Sequence, residues 1–148
     1  MSESISQLQL RQRRDYQFVN QFGGAVPELL SDEPPPLGQG DGPSPLQLLG
    51  AAVGNCLCAS LLFALRKYKQ QAEPMGCDVQ VETGRNAEKR LRVSAIAVRL
   101  TLGVAAAQIQ HLDRILGSFE DFCTVTGSIR QGIAVRVQVF DAHGSQLK

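Results

Sequence analysis

The chain has 148 residues, with 15 basic and 14 acidic side chains and a formal net charge of +1. That length suits a single domain with a sizeable core. A charge so near zero gives no general attraction to nucleic acid or to an anionic membrane.

The opening residues lack a basic stretch followed by an apolar run, so no leader peptide is expected. Residues 5–13 alternate weakly. Residues 15–22 alternate better, placing Tyr16, Phe18 and Phe22 on one face of a predicted strand that Gly23-Gly24 ends. Residues 23–43 carry Pro34-Pro35-Pro36 and read as a long loop, a kind that often serves as a lid or binding loop. The three prolines are read as a stiff connector, not as a recognition motif.

A helix is predicted to start sharply. Ser44 suits the N-cap, Pro45 the first helical position, and Gln47 completes a capping box with Ser44. The helix is expected to run to about Gln71, apolar all round as far as Leu65, with Pro74 and Gly76 as stops. Its apolar stretch contains Gly50, Gly54, Asn55 and two cysteines, and is read as a core helix, not a membrane span. Arg66, Lys67 and Lys69 complement the negative helix end, which accounts for that basic cluster without nucleic acid.

Cys77, Val79 and Val81 then share a strand face, and Ile96, Val98, Leu100 and Leu102 share another after a basic hairpin at Thr83-Gly84-Arg85-Asn86. A second helix is predicted over 105–122, with Ile109, Leu112, Leu116 and Phe119 as its stripe and Cys123 continuing it just before a strand. Ile133, Val135, Val137 and Val139 mark the last strand. The order is ββαββαβ in one α+β domain over 1–148, with mostly antiparallel strands. An all-round apolar helix is hard to cover in so small a chain, so a homodimer is expected on physical grounds.

Four cysteines, separated by 2, 19 and 46 residues, carry the candidate chemistry. With no leader the default location is the cytoplasm, where thiols stay reduced and are structural, metal-binding or catalytic. Structural zinc favours Cys-x-x-Cys pairs on loops, which this spacing does not offer, and His111 and His143 read as solvent-facing. Nucleotide-binding and serine-hydrolase motifs have no match. A thiol on a rigid apolar helix, Cys56, and one at a helix end, Cys123, make a candidate attacking and resolving pair; the ordinary alternative is core filling. Attack requires a reachable thiol whose ionisation a nearby cation favours, and Arg11, Arg13 and Arg14 are available on the first strand. Cys58 lies about 200° round the helix from Cys56, so those two face apart. Cys58 and Cys77 are read as structural.

Gly42-Pro43-Ser44-Pro45 leading through Leu-Gln-Leu-Leu-Gly-Ala-Ala-Val-Gly-Asn to Cys56 resembles the signature of the OsmC/Ohr family, the osmotically inducible and organic hydroperoxide resistance proteins. Cys123-Thr-Val-Thr and the strand from Ile133 to Val139 are similar to its second cysteine motif and terminal strand. The resemblance implies an OsmC-like fold, an intertwined homodimer with long helices buried between sheets, and sites at the subunit boundary. It implies a thiol peroxidase acting on organic hydroperoxides through a Cys56 sulfenic acid and a Cys56–Cys123 disulfide, reduced by an external lipoyl-type dithiol, with no metal or flavin. Arg14, with Arg13 next, is matched to the arginine that faces the reactive thiolate. The family's peroxidases carry a glutamate directly after the helix-opening proline. Here that position is Leu46, and Thr124 stands where a proline follows the second cysteine. The alternative is an OsmC-fold protein that binds a small hydrophobic ligand or senses redox state without efficient turnover. Leu46 favours that alternative.

Overall fold

The computed structural model describes residues 3–148, which fall into two compact units divided after Leu49. The first unit is a three-stranded antiparallel sheet of β1 (Gln9–Arg14), β2 (Gln17–Gln21) and β3 (Leu29–Ser31), in that order. Asp15 turns β1 into β2 at φ 45°, a left-handed conformation that aspartate tolerates better than most residues. The aromatic face expected for β2 is not buried: Tyr16, Phe18 and Phe22 are exposed, and the buried positions are Gln17 and Asn20. Gln17 and Asn20 lie on opposite faces of the strand, and hydrogen bonding accounts for the burial of each. The Asn20 amide donates to Ser31 Oγ at 2.9 Å and to the Leu29 carbonyl at 3.1 Å, which fixes β3 against β2. β3 also interrupts the predicted long loop.

Helix α1 (Pro45–Lys67) begins as its sequence predicts. The Gln47 backbone N–H donates to Ser44 Oγ at 3.3 Å, and the Ser44 N–H donates to Gln47 Oε1 at 2.9 Å. It stops four residues earlier than expected because Lys69 adopts φ 57°. The Gln70 N–H then reaches the Leu65 carbonyl and the Lys69 N–H the Arg66 carbonyl, both at 2.9 Å. Such a left-handed cap satisfies carbonyls that would otherwise be orphaned. Pro74 plays no part in the stop.

In the second unit, β4 (Gly76–Arg85) and β5 (Leu91–Thr101) form an antiparallel hairpin, and β6 (Ala134–Phe140) joins β5 in parallel. A parallel neighbour needs a crossover, which the intervening helical segment supplies. That segment is not the single helix predicted. His111, at φ 58°, starts α2 (Leu112–Ser118); a tight turn at Phe119–Phe122 follows, then α3 (Thr124–Ile129). Cys123 thus precedes a helix, not a strand. The apolar stripe survives the breaks: Ile109, Leu116, Phe119 and Cys123 are buried.

Val53, Leu57, Leu61 and Leu65 of α1 are fully buried with Ile96, Leu100, Ile115 and Val139, each such side chain contributing about 1.5–3 kcal/mol. α1 is long and apolar enough to cross a membrane, but this row makes it a core helix. Its opposite side, with Ala51, Ala52, Asn55, Ala59 and Phe63, is exposed in the single chain.

Candidate dithiol site

α1 presents Cys56 to the start of α3. There the Cys56 thiol lies close enough to Cys123 and to the backbone of Val125 and Thr126 for each to act on its ionisation. Cys56 is half-buried, while Cys123 is 2% exposed. Cys123 Sγ lies 3.0 Å from Oγ1 of the buried Thr126, and Ser60, one turn beyond Cys56 on α1, also bonds it. The two cysteines singled out from sequence are therefore brought together. Thr126 ends the Cys123-Thr-Val-Thr motif, but the motif does not show its contact with Cys123, and Ser60 carried no sequence signal.

The two thiols ionise unequally. Burial pushes the Cys56 thiol up, and sharing a proton with Cys123 adds to this against the backbone bonds of Val125 and Thr126. Burial works against ionisation at Cys123 too, but bonds from Cys56, Thr126 and Ser60 outweigh it and bring that thiol down. The two thiols are coupled, so their ionisation belongs to the pair and not to either sulfur alone.

Arg14, at the end of β1, belongs to the first unit. Its Nε donates to Gln17 Oε1 at 3.3 Å, and its guanidinium lies 3.8 Å from Asp41. The buried Gln17 amide donates to Asp41 at 2.7 Å and to Asp32 at 3.3 Å. Asp32, 2% exposed, also accepts the backbone N–H groups of Glu33, Gln39 and Asp41. Burial alone would raise the Asp32 carboxyl, but the bonds from Asp41, Gln39, Gln17 and Glu33 hold it below the usual carboxylate range. Gly38 makes this loop possible, because a Cβ there would sit 2.1 Å from the Glu33 carbonyl oxygen. Asp41 was not legible beforehand, since the loop brings it to Arg14, whereas Gln17 meets Arg14 across the turn between β1 and β2. Arg11 and Arg13 are exposed on β1, and Leu46 is an exposed residue of the first turn of α1.

Cys58 and Cys77 lie outside the Cys56–Cys123 pair and contact each other instead. The four thiols thus divide two and two.

A family model described as OsmC-like protein matches residues 38–138. No curated protein matches the sequence. Among solved structures, the chain is similar to an OsmC-like protein of unknown function from Vibrio cholerae, at 15% identity and TM-score 0.78, covering 93% of this chain and 100% of that one. It is similar to an organic hydroperoxide resistance protein from Legionella pneumophila, at 17% identity and TM-score 0.71, covering 94% and 98%. It is also similar to an organic hydroperoxide resistance protein of Bacillus subtilis, at 14% identity and TM-score 0.70, covering 92% and 98%. At these identities the likeness is one of fold.

Proposed function

Because the chain belongs to the OsmC-like protein family, we propose that it is a thiol-dependent peroxidase that reduces organic hydroperoxides. The observation that carries this reading is the contact between a half-buried and a buried thiol, Cys56 and Cys123. The names of the hydroperoxide resistance proteins that share its fold support the substrate class.

In this reading Cys56 attacks, because its sulfur is the more accessible of the two. Proton exchange within the pair lets Cys56 carry the charge as the hydroperoxide arrives. The Cys56 thiolate attacks the terminal peroxide oxygen, the O–O bond breaks, and the departing alkoxide takes a proton to leave as an alcohol. Cys56 becomes a sulfenic acid. The Cys123 sulfur then displaces hydroxide, which leaves as water with a proton, and a disulfide forms. An external dithiol of the lipoyl type returns both thiols by two exchange steps and is itself oxidised to its disulfide. Arg14 is given the part of favouring the thiolate, with Asp41 and Gln17 as its holders. No metal or flavin enters. Phe63 and Phe122, exposed and 5.1 Å apart between ring centroids, offer an apolar surface beside Cys123 that suits fatty or aryl hydroperoxides over hydrogen peroxide.

The reading takes both units as one OsmC-like domain, acting in the cytoplasm as a homodimer. The exposed apolar residues Tyr16, Phe18 and Phe22 in the first unit and Phe63 in the second support a second copy as their cover. A second reading, small-ligand binding or redox sensing without efficient turnover, is favoured by Leu46, which offers an arginine no carboxylate.

The test is single turnover. Cys123→Ser treated with one equivalent of an organic hydroperoxide should gain one oxygen at Cys56, trapped by a sulfenic-acid reagent, and release one alcohol. Cys56→Ser should consume no hydroperoxide. Oxidation of Cys123 at the wild-type rate in Cys56→Ser would overturn the assignment.

A further inference from the structure

The second pair of thiols sits in a row of close contacts between α1 and β4. A Cβ on Gly50 would fall 2.8 Å from Val81 Cγ2, and one on Gly54 would fall 2.8 Å from Val79 Cγ2 and 3.1 Å from Cys77 Sγ. Both glycines let helix and strand approach more closely than side chains allow. Four residues of helix advance about 6 Å and two of strand about 6.6 Å, so the two rows stay in step. The helix row is Gly50, Gly54, Cys58, and the strand row running against it is Val81, Val79, Cys77. The row therefore ends thiol against thiol, with Cys77 close enough to Cys58 to act on its ionisation. Both are half-buried, and β4 is an edge strand of its sheet.

We infer that Cys58 and Cys77 are a second redox site, a dithiol that exchanges with low-molecular-weight disulfides and closes into a disulfide tying α1 to β4. The reaction is balanced by one external disulfide. The Cys77 sulfur, as thiolate, attacks it and releases one small thiol. The Cys58 sulfur then attacks Cys77 in the mixed disulfide and releases the second. The protein loses two electrons and two protons, which leave with the two product thiols. Cys77 is given the attack because it lies on the edge strand β4, and Cys58, whose thiol burial pushes up, acts second from the helix. This site is separate from the Cys56–Cys123 pair, and its failure leaves the peroxidase reading intact.

The test uses the full chain carrying Cys56→Ser and Cys123→Ser, with wild type in parallel, equilibrated in buffers of reduced and oxidised glutathione. Free thiols are then blocked and peptides mapped without reduction. The expected result is loss of two alkylatable thiols without added glutathione mass, a Cys58–Cys77 linked peptide in both proteins, and recovery on adding a dithiol. Cys77→Ser in the wild-type background should lose this link and keep the ability to form Cys56–Cys123. The inference is overturned if the most oxidising buffer leaves both thiols alkylatable, or gives only glutathione adducts or chain-to-chain links. If the double variant does not fold, absence of the linked peptide from wild type overturns it equally.

Discussion

Arg14 has a carboxylate within reach in Asp41, at 3.8 Å and five residues ahead of Leu46. In the proposed function Asp41 takes the part that a carboxylate at Leu46 would play. The Arg14 and Asp41 side chains are at least half exposed, and exposed pairs contribute about 0–1 kcal/mol, so Asp41→Asn should slow reaction with an organic hydroperoxide by no more than about fivefold. Leu46→Glu should gain less than that. Rapid-mixing rates of the reduced proteins check both, and a gain of about tenfold or more from Leu46→Glu would show that Asp41 does not serve. At Thr126 the expectation concerns ionisation. Thr126→Val keeps the volume of this buried side chain and deletes its bond to Cys123, so the alkylation of the thiol pair should move to higher pH. An unmoved profile would mean that the hydroxyl does not stabilise the charge. Cys56 and Cys123 could be picked out from sequence because a thiol within a capped apolar helix and another ending an apolar stripe are local patterns. Asp41 could not, since only the return of the loop brings it to Arg14 and Gln17, and Thr126 could not, since its hydroxyl reaches Cys123 only where α3 begins.

The elements that the sequence predicted best are those whose signals are local. Ser44, Pro45 and Gln47 define the start of α1, and Val135, Val137 and Val139 define β6. Those it predicted worst turn on single left-handed residues, Lys69 ending α1 and His111 opening α2, in stretches whose apolar periodicity does not break. Alternation in β2 found the strand but not its two buried amides, Gln17 and Asn20, whose burial follows from the loop and the β3 partner they bond. The loop held at Asp32 gives a pH prediction. Its carboxyl is lowered in the folded state, so it stabilises the fold above its unfolded value near 3.9, and that contribution is lost as pH falls through the folded value. Asp32→Asn should therefore lower stability at neutral pH and flatten the loss of stability below about pH 4, as followed by denaturant midpoints. An unchanged acid limb would remove Asp32 from the account. The packing of α1 on β4 gives another. Alanine for glycine in mid-helix gains about 1 kcal/mol from propensity, but at Gly54 the new methyl meets a stiff valine at 2.8 Å. Overpacking costs about 1–3 kcal/mol, so Gly54→Ala should lower the unfolding midpoint, and a raised one would show slack between the two elements.

For the molecule as a whole, the exposed apolar side chains are the basis of the proposed homodimer. Tyr16, Phe18 and Phe22 on one unit and Phe63 on the other are exposed in one chain, more large apolar side chains than a small monomer needs to leave in water. Sedimentation equilibrium should give twice the 16.0 kDa of one chain, and Phe63→Lys should shift the protein toward the monomer. A wild-type species of one chain mass would contradict the homodimer. The α+β class was legible because two strand-forming stretches flank a helix of unmistakable start. The pairing of β6 in parallel with β5 was not, since alternation carries no direction. The central claim, that the Cys56–Cys123 pair turns over organic hydroperoxides, is tested most directly by steady-state consumption of a cumene-type hydroperoxide with a lipoyl-type dithiol as the only reductant. The predicted result is catalytic loss of the hydroperoxide with equal formation of alcohol and oxidised dithiol, none of it above background in Cys56→Ser. Consumption by wild type no faster than by folded Cys56→Ser would contradict it, and would leave ligand binding or redox sensing as the function of the site.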